Sequence, residues 1–169
     1  ATMATEQQLK EAMALSAGML AMIDDAVGDL VATLKETGLH DNTVICFTSD
    51  HGDYLGDFNL LLKGAMPFRS ITQVPMIWSD PADRSARTTD ALAATIDLPA
   101  TILDRVSVPP YFGMQARSFL PVLNGEANIH RDALFIEYND SGPRLGVKTS
   151  ARVKAIVTGG PYMHELLVM

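Results

Sequence analysis

With 169 residues, 47% of them hydrophobic and 20% charged, the chain is long and apolar enough to bury a domain core, which excludes a disordered linker. A formal net charge of −7, with no basic stripe to neutralise phosphates, argues against a nucleic-acid partner. The single cysteine, Cys46, has no internal disulfide partner and sits in an apolar run as a small hydrophobe, and no run is long enough to span a bilayer.

In chain order, Thr5-Glu6-Gln7-Gln8 has capping-box spacing and predicts the start of a long helix. Leu9, Met13, Leu20, Ile23, Val27, Leu30, Val31 and Leu34 recur at helical spacing, giving one apolar stripe. Asp24 and Asp25 read as a solvated face, Gly38 as the helix stop, and His40 as a surface residue in the short loop that follows. The run from Thr43 to Thr48 has the β-branched and aromatic types of a strand buried on both faces. It passes without a spacer into Ser49-Asp50-His51-Gly52, with Gly52 expected to let the backbone turn sharply. The stretch from Asp53 to Arg69 has no clean period and reads as an active-site loop. Val74 to Trp78 is a second apolar strand ended by the turn Ser79-Asp80-Pro81. A short helix follows, with Pro99 in its first turn and Ile102 and Leu103 facing inward. A short turn from Arg117 to Leu123 ends at Gly125. Three β-prone runs, Ala133 to Tyr138, Arg144 to Thr149 and Arg152 to Thr158, predict an antiparallel meander. Lys148, Arg152 and Lys154 form a modest basic cluster on it, while His130 and His164 have no ligand spacing and read as surface.

The chemistry concentrates after the first strand. Asp50 and His51 put a hard oxygen donor beside a nitrogen donor at a strand's carboxyl end, a pairing that suits a divalent cation. Lys63, on the loop beyond, suits an anion. Two adjacent donors are also what a solvated turn carries, so the residues alone leave both readings open.

The segment SDHGDYLGD, followed by Lys63-Gly64, Pro67-Phe68 and Val74-Pro75, resembles the sulfatase family of the alkaline phosphatase superfamily. Asp97-Leu98-Pro99-Ala100-Thr101-Ile102-Leu103 and the stretch from Gly113 to Pro121 continue the likeness in the family's order. The resemblance implies that Asp50 and His51 bind the active-site metal and that Lys63 contacts the sulfate or phosphate ester. The sequence departs from the pattern at Arg69, near which the family usually has acidic residues, and at Phe58, where it often has His. Ca²⁺ is the ion the resemblance implies, and His51 in place of Asn also suits Mn²⁺ or Zn²⁺. It further implies a nucleophilic Cys converted to formylglycine in a Cys-x-Pro/Ala-x-Arg motif. Cys46, with Thr48 and Asp50 at the second and fourth positions after it, does not fit. Ser79 has Pro81 in place but Asp83 where Arg is needed.

The chain is therefore expected to be the C-terminal part of a larger enzyme whose nucleophile lies in its N-terminal half, and to be inactive in isolation. The expected fold is α/β: part of an alkaline-phosphatase-like mixed or parallel sheet with flanking helices, followed by a small antiparallel C-terminal sheet. Residues 1–128 would form the end of the catalytic domain and 129–169 the start of the smaller one. The expected activity is metal-dependent hydrolysis of a small-molecule or carbohydrate sulfate ester. A phosphatase, phosphodiesterase or phosphonate monoester hydrolase is the alternative within the superfamily, and a non-catalytic truncated product is the alternative outside it. The compartment (cytoplasmic, periplasmic or secreted) and the oligomeric state stay open.

Overall fold

The structure, a computed structural model, describes residues 2–64, 66–140, 143–144, 147–148 and 151–158, and the side chains of 4–64 and 66–136 among them. Described residues from His164 onward there are none, so the expectation for His164 lies outside them, as do those for the side chains of Lys148, Arg152 and Lys154. The elements are β1 (Thr2–Met3), α1 (Glu6–Glu36), β2 (Ile45–Thr48), β3 (Leu60–Leu61), α2 (Arg69–Thr72), β4 (Met76–Ser79), α3 (Leu98–Arg105), α4 (Leu120–Leu123), β5 (Ala133–Asp140), β6 (Pro143–Arg144), β7 (Val147–Lys148) and β8 (Ala151–Thr158). They divide into two compact units: 1–47, 53–63 and 76–86 in the first; 48–52, 64–75 and 87–169 in the second.

The first unit is built on α1. Its capping box is formed, with the Thr5 hydroxyl accepting from Gln8 N and the Gln8 side chain accepting from Thr5 N. It ends at Glu36 with Thr37 as its cap, and Gly38 follows at φ 70°, the left-handed turn that a residue without Cβ makes at least cost. None of its residues is buried, although the apolar stripe predicts a covered face: Leu9, Val27, Val31 and Leu34 are half-buried, while Leu15, Met19, Leu20, Met22 and Ile23 stand exposed. The segment after Gly52 returns to the start of the chain, where β3 pairs antiparallel with β1 in the register Thr2↔Leu61 and Met3↔Leu60. Sequence patterning did not point to this ladder, because two-residue strands carry no period. β2 pairs with β4 in a two-stranded sheet, and the Cys46 Sγ lies 3.9 Å from Met76 Sδ across it. All four β2 residues are half-buried rather than buried on both faces, for β4 is the neighbour that these residues provide.

The second unit holds a small apolar core of Leu92, Ala94, Leu134 and Ile136, with Val74 packed on it. Its C-terminal part is one long antiparallel pairing of β5 with β8, running from Ala133↔Thr158 to Asp140↔Ala151, with β6 and β7 paired inside the connection. The expected three-stranded meander is thus a hairpin within a hairpin, the middle run being split between β6 and β7. On α3 the inward residues are Ala100 and Thr101, not Ile102, which is 46% exposed. The small face packs because the Thr101 hydroxyl is consumed locally, donating to Asp97 O at 2.9 Å and accepting from Phe119 N at 3.1 Å.

Candidate metal and ester site

Asp50 and His51 leave the end of β2 on a turn that is wired to itself. The His51 backbone N–H donates to Asp50 Oδ1 at 2.9 Å, and the Ser49 hydroxyl reaches both Asp50 Oδ1 (3.3 Å) and His51 O (3.0 Å). The His51 N–H bond holds the Asp50 carboxyl below its ordinary value; slight desolvation opposes this, and the His51 ring and Ser49 add to it. Asp50 is therefore an anion at neutral pH, and its side chain is 74% exposed.

The ring of His51 is oriented by a neighbouring carbonyl. Its Nδ1 lies 2.8 Å from Gly52 O, an atom that can only accept, so Nδ1 carries the proton. In the neutral ring the lone pair is then on Nε2, and Nε2 lies 3.5 Å from Asp50 Oδ2. A backbone carbonyl fixing the far nitrogen is the arrangement that metal-binding histidines use. A separation of 3.5 Å between donors also matches two neighbouring ligands each about 2.0–2.5 Å from one ion. The pair therefore fits a divalent cation. It supplies two donors of the four or more such an ion takes, and among the described residues no group of three or more His, Cys, Asp or Glu converges to hold one.

Gly52 is required here for a different reason from the one its position after Asp-His suggests. Its φ is not in the left-handed region. Instead, a Cβ built on it would fall 1.9 Å from the backbone oxygen of Ser70, and Gly52 N donates to Ile71 O at 2.8 Å. The backbone of α2 thus passes directly over the turn and fixes the carbonyl that orients His51. Asp50 also borders an apolar cavity of about 650 Å³, walled by Leu98, Ile102, Leu103, Tyr111 and Met114.

Lys63 belongs to the first unit, whereas Asp50 and His51 belong to the second. It is exposed and ends a tight loop. Cys46, half-buried with its thiol pushed up by burial, has no feature of an activated nucleophile.

One polar centre escaped the sequence reading. Asp97 is fully buried and accepts from Arg117 N at 2.8 Å, from His130 Nε2 at 2.9 Å, and from two nitrogens of the Arg131 guanidinium. Burial pushes its carboxyl up; the Arg131, Arg117 and His130 hydrogen bonds together outweigh that and hold it below its ordinary value. His130, expected on the surface, has a side chain only 7% exposed and meets Phe119 edge-on with ring centroids 5.8 Å apart. Asp97 and His130 are 33 residues apart, and no local spacing could have paired them.

Residues 1–108 match the family model described as Sulfatase. Arylsulfatase K of Danio rerio is 30% identical over 126 residues, covering 75% of this chain and 24% of that protein. N-acetylglucosamine-6-sulfatase of Homo sapiens is 34% identical over 125 residues, covering 73% and 23%. Among solved structures, the phosphonate monoester hydrolase of Agrobacterium radiobacter superposes with a TM-score of 0.77 at 31% identity, over 84% of this chain and 29% of that one. The chain spans between 10% and 26% of the length of the first curated relatives it matches.

Proposed function

The chain belongs to the sulfatase family, and on that premise we propose that it is part of a metal-assisted hydrolase of sulfate esters. The observation that carries the proposal is the Asp50–His51 pair: an ionised carboxylate and an imidazole whose ring orientation is fixed by Gly52 O, with donor atoms 3.5 Å apart. A divalent ion held there would supply a Lewis acid for the ester. Ca²⁺ is the ion we assign, with Mn²⁺ or Zn²⁺ suited by the nitrogen donor. Asp50 would hold such an ion through an anionic oxygen and His51 through a neutral nitrogen, in the tautomer that Gly52 O favours. Lys63 contributes a compact positive charge for the anionic end of the ester, stabilising charge as it develops on nonbridging or leaving oxygens.

We further propose that the nucleophile, a formylglycine, and the remaining ligands are supplied by residues outside these 169, within an alkaline-phosphatase-like sheet of which β2 and β4 are part. The short span relative to the curated relatives supports this, as does the absence of a third convergent ligand among the described residues. The substrate is a small-molecule or carbohydrate sulfate ester. Phosphonate or phosphate monoesters are a second reading, favoured by the likeness to a phosphonate monoester hydrolase. Among the described residues no helix is long and apolar enough to cross a membrane.

The test uses the 169-residue chain and the full-length protein in parallel, with aryl sulfate and aryl phosphonate esters and added Ca²⁺ or Mn²⁺. The full-length protein is expected to turn over the sulfate ester faster, and the isolated chain neither. Metal-dependent turnover by the isolated chain that vanishes in Asp50→Ala would overturn the fragment reading.

A further inference from the structure

We infer that Arg69 is a substrate-binding residue that takes an anionic oxygen group, sulfate or carboxylate, on the ester-bearing molecule, an inference that rests on the ester-hydrolase reading above. Residues 48–52 and 64–75 belong to the same compact unit. They touch where Gly52 meets α2: the Gly52 N–H donates to Ile71 O at 2.8 Å, and a Cβ on Gly52 would lie 1.9 Å from Ser70 O. His51 precedes Gly52 on one side of this contact, and Arg69 precedes Ser70 on the other. The imidazole and the guanidinium are therefore carried by two segments locked backbone to backbone.

Arg69 is exposed, yet its side chain is oriented. Its Nε–H donates to Gln73 Oε1, one helical turn on. Gln73 is half-buried, and its backbone N–H donates to Arg69 O at 2.8 Å, so the pair is tied to α2 through side chain and backbone alike. With Nε spent, the two terminal nitrogens form a fork that fits two oxygens of a sulfate or carboxylate.

No group among the described residues occupies that fork. The chain holds 20 Asp and Glu against 13 Lys and Arg, so a surface arginine has carboxylates in excess to pair with. None of the described ones forms an ion pair with Arg69. Asp50 is the one carboxylate in residues 48–52, and Arg69 the one cation in residues 64–75. Asp50 is engaged by Ser49 and His51 and stays 74% exposed. Two opposite charges on touching segments thus do not neutralise each other, which leaves Asp50 for a cation and Arg69 for an anion. The anion is the reacting sulfate or a second sulfate or carboxylate on the same molecule, since each presents paired oxygens to the fork. Because Gln73 already holds the guanidinium, less side-chain freedom is lost on binding.

Calorimetric titration of the full-length protein tests this without turnover, using benzenesulfonate, which has one anionic group, and benzene-1,3-disulfonate, which has two. Arg69→Gln, which keeps a good helix former and removes the charge, is expected to weaken disulfonate binding about 10-fold. Arg69→Lys should retain part of the affinity, as a point charge without the fork. Gln73→Leu, which keeps Arg69 and removes its tether, is expected to lose about 2- to 5-fold. Equal weakening of both ligands in Arg69→Gln assigns Arg69 to the reacting group, and weakening of the disulfonate alone assigns it to a second anion. Unchanged affinity for both ligands in Arg69→Gln, or a wild type that binds neither, overturns the inference. A wild type that binds both and hydrolyses no ester counts against the hydrolase reading alone.

Discussion

The α-carbon of Gly52 faces the backbone oxygen of Ser70 so closely that a methyl group would sit 1.9 Å from it. The obstructing atom belongs to backbone, so it cannot swing aside as a flexible side chain would. Gly52→Ala is expected to cost about 1–3 kcal/mol of stability as the two segments separate. Because Gly52 O orients His51, the same change should weaken metal retention in the full-length protein. Thermal denaturation and metal analysis of the variant check both, and a variant with wild-type melting and metal content would remove Gly52 from this role.

Asp97 gives the second unit an acid-sensitive clasp. Its carboxyl is held below the ordinary value by donors from Arg131, Arg117 and His130. A depressed carboxyl stabilises the fold fully above its unfolded value, about 3.9, and that contribution fades as pH falls through the lower folded value. Melting temperature should therefore drop below about pH 4 in the wild type, and less steeply in Asp97→Asn, which cannot titrate there. Asp97→Ala, which leaves the partly buried Arg131 without its carboxylate, should cost about 3 kcal/mol at pH 7. Parallel slopes for wild type and Asp97→Asn would contradict this.

For Lys63 the expected effect is on turnover. If it meets the ester oxygens, Lys63→Ala in the full-length protein lowers kcat about 10²- to 10³-fold, with fold and metal content kept. Lys63→Arg should recover only part of the loss, since a planar fork does not replace a point charge. Steady-state kinetics with a near-wild-type kcat for Lys63→Ala would exclude the role.

Helix α1 exposes Leu15 (71%), Met22 (71%), Leu20 (64%) and Met19 (59%). The isolated chain should therefore bind a hydrophobic fluorescent dye. Replacing Leu15 and Met22 by Lys, a good helix former, should cut the dye signal while helicity by circular dichroism is unchanged. An unaltered signal would place the dye elsewhere.

The range of each interaction decides whether the sequence shows it. The cap at Thr5, the stop at Gly38 and the adjacency of Asp50 and His51 depend on neighbours within a few residues, and the sequence carries them directly. The two-residue pairing of β1 with β3 and the Asp97–His130–Arg131 cluster join segments tens of residues apart through backbone groups or single side chains, which leave no periodic trace. Ile102, the more apolar residue, points outward because Thr101 takes the buried position at little cost, its hydroxyl being hydrogen-bonded as both donor and acceptor. For Gly52 the turn was legible, but the closeness of Ser70 depends on how α2 crosses it.

Metal content shows whether Asp50 and His51 hold a catalytic ion. Wild type, Asp50→Ala and His51→Ala of the full-length protein would be purified in parallel, analysed for bound divalent ions, and assayed for aryl sulfate hydrolysis on the same samples. Wild type is expected to retain a divalent ion and hydrolyse the ester, and each variant to lose the ion and the turnover together while remaining folded. Variants that keep both the ion and the activity would contradict the assignment.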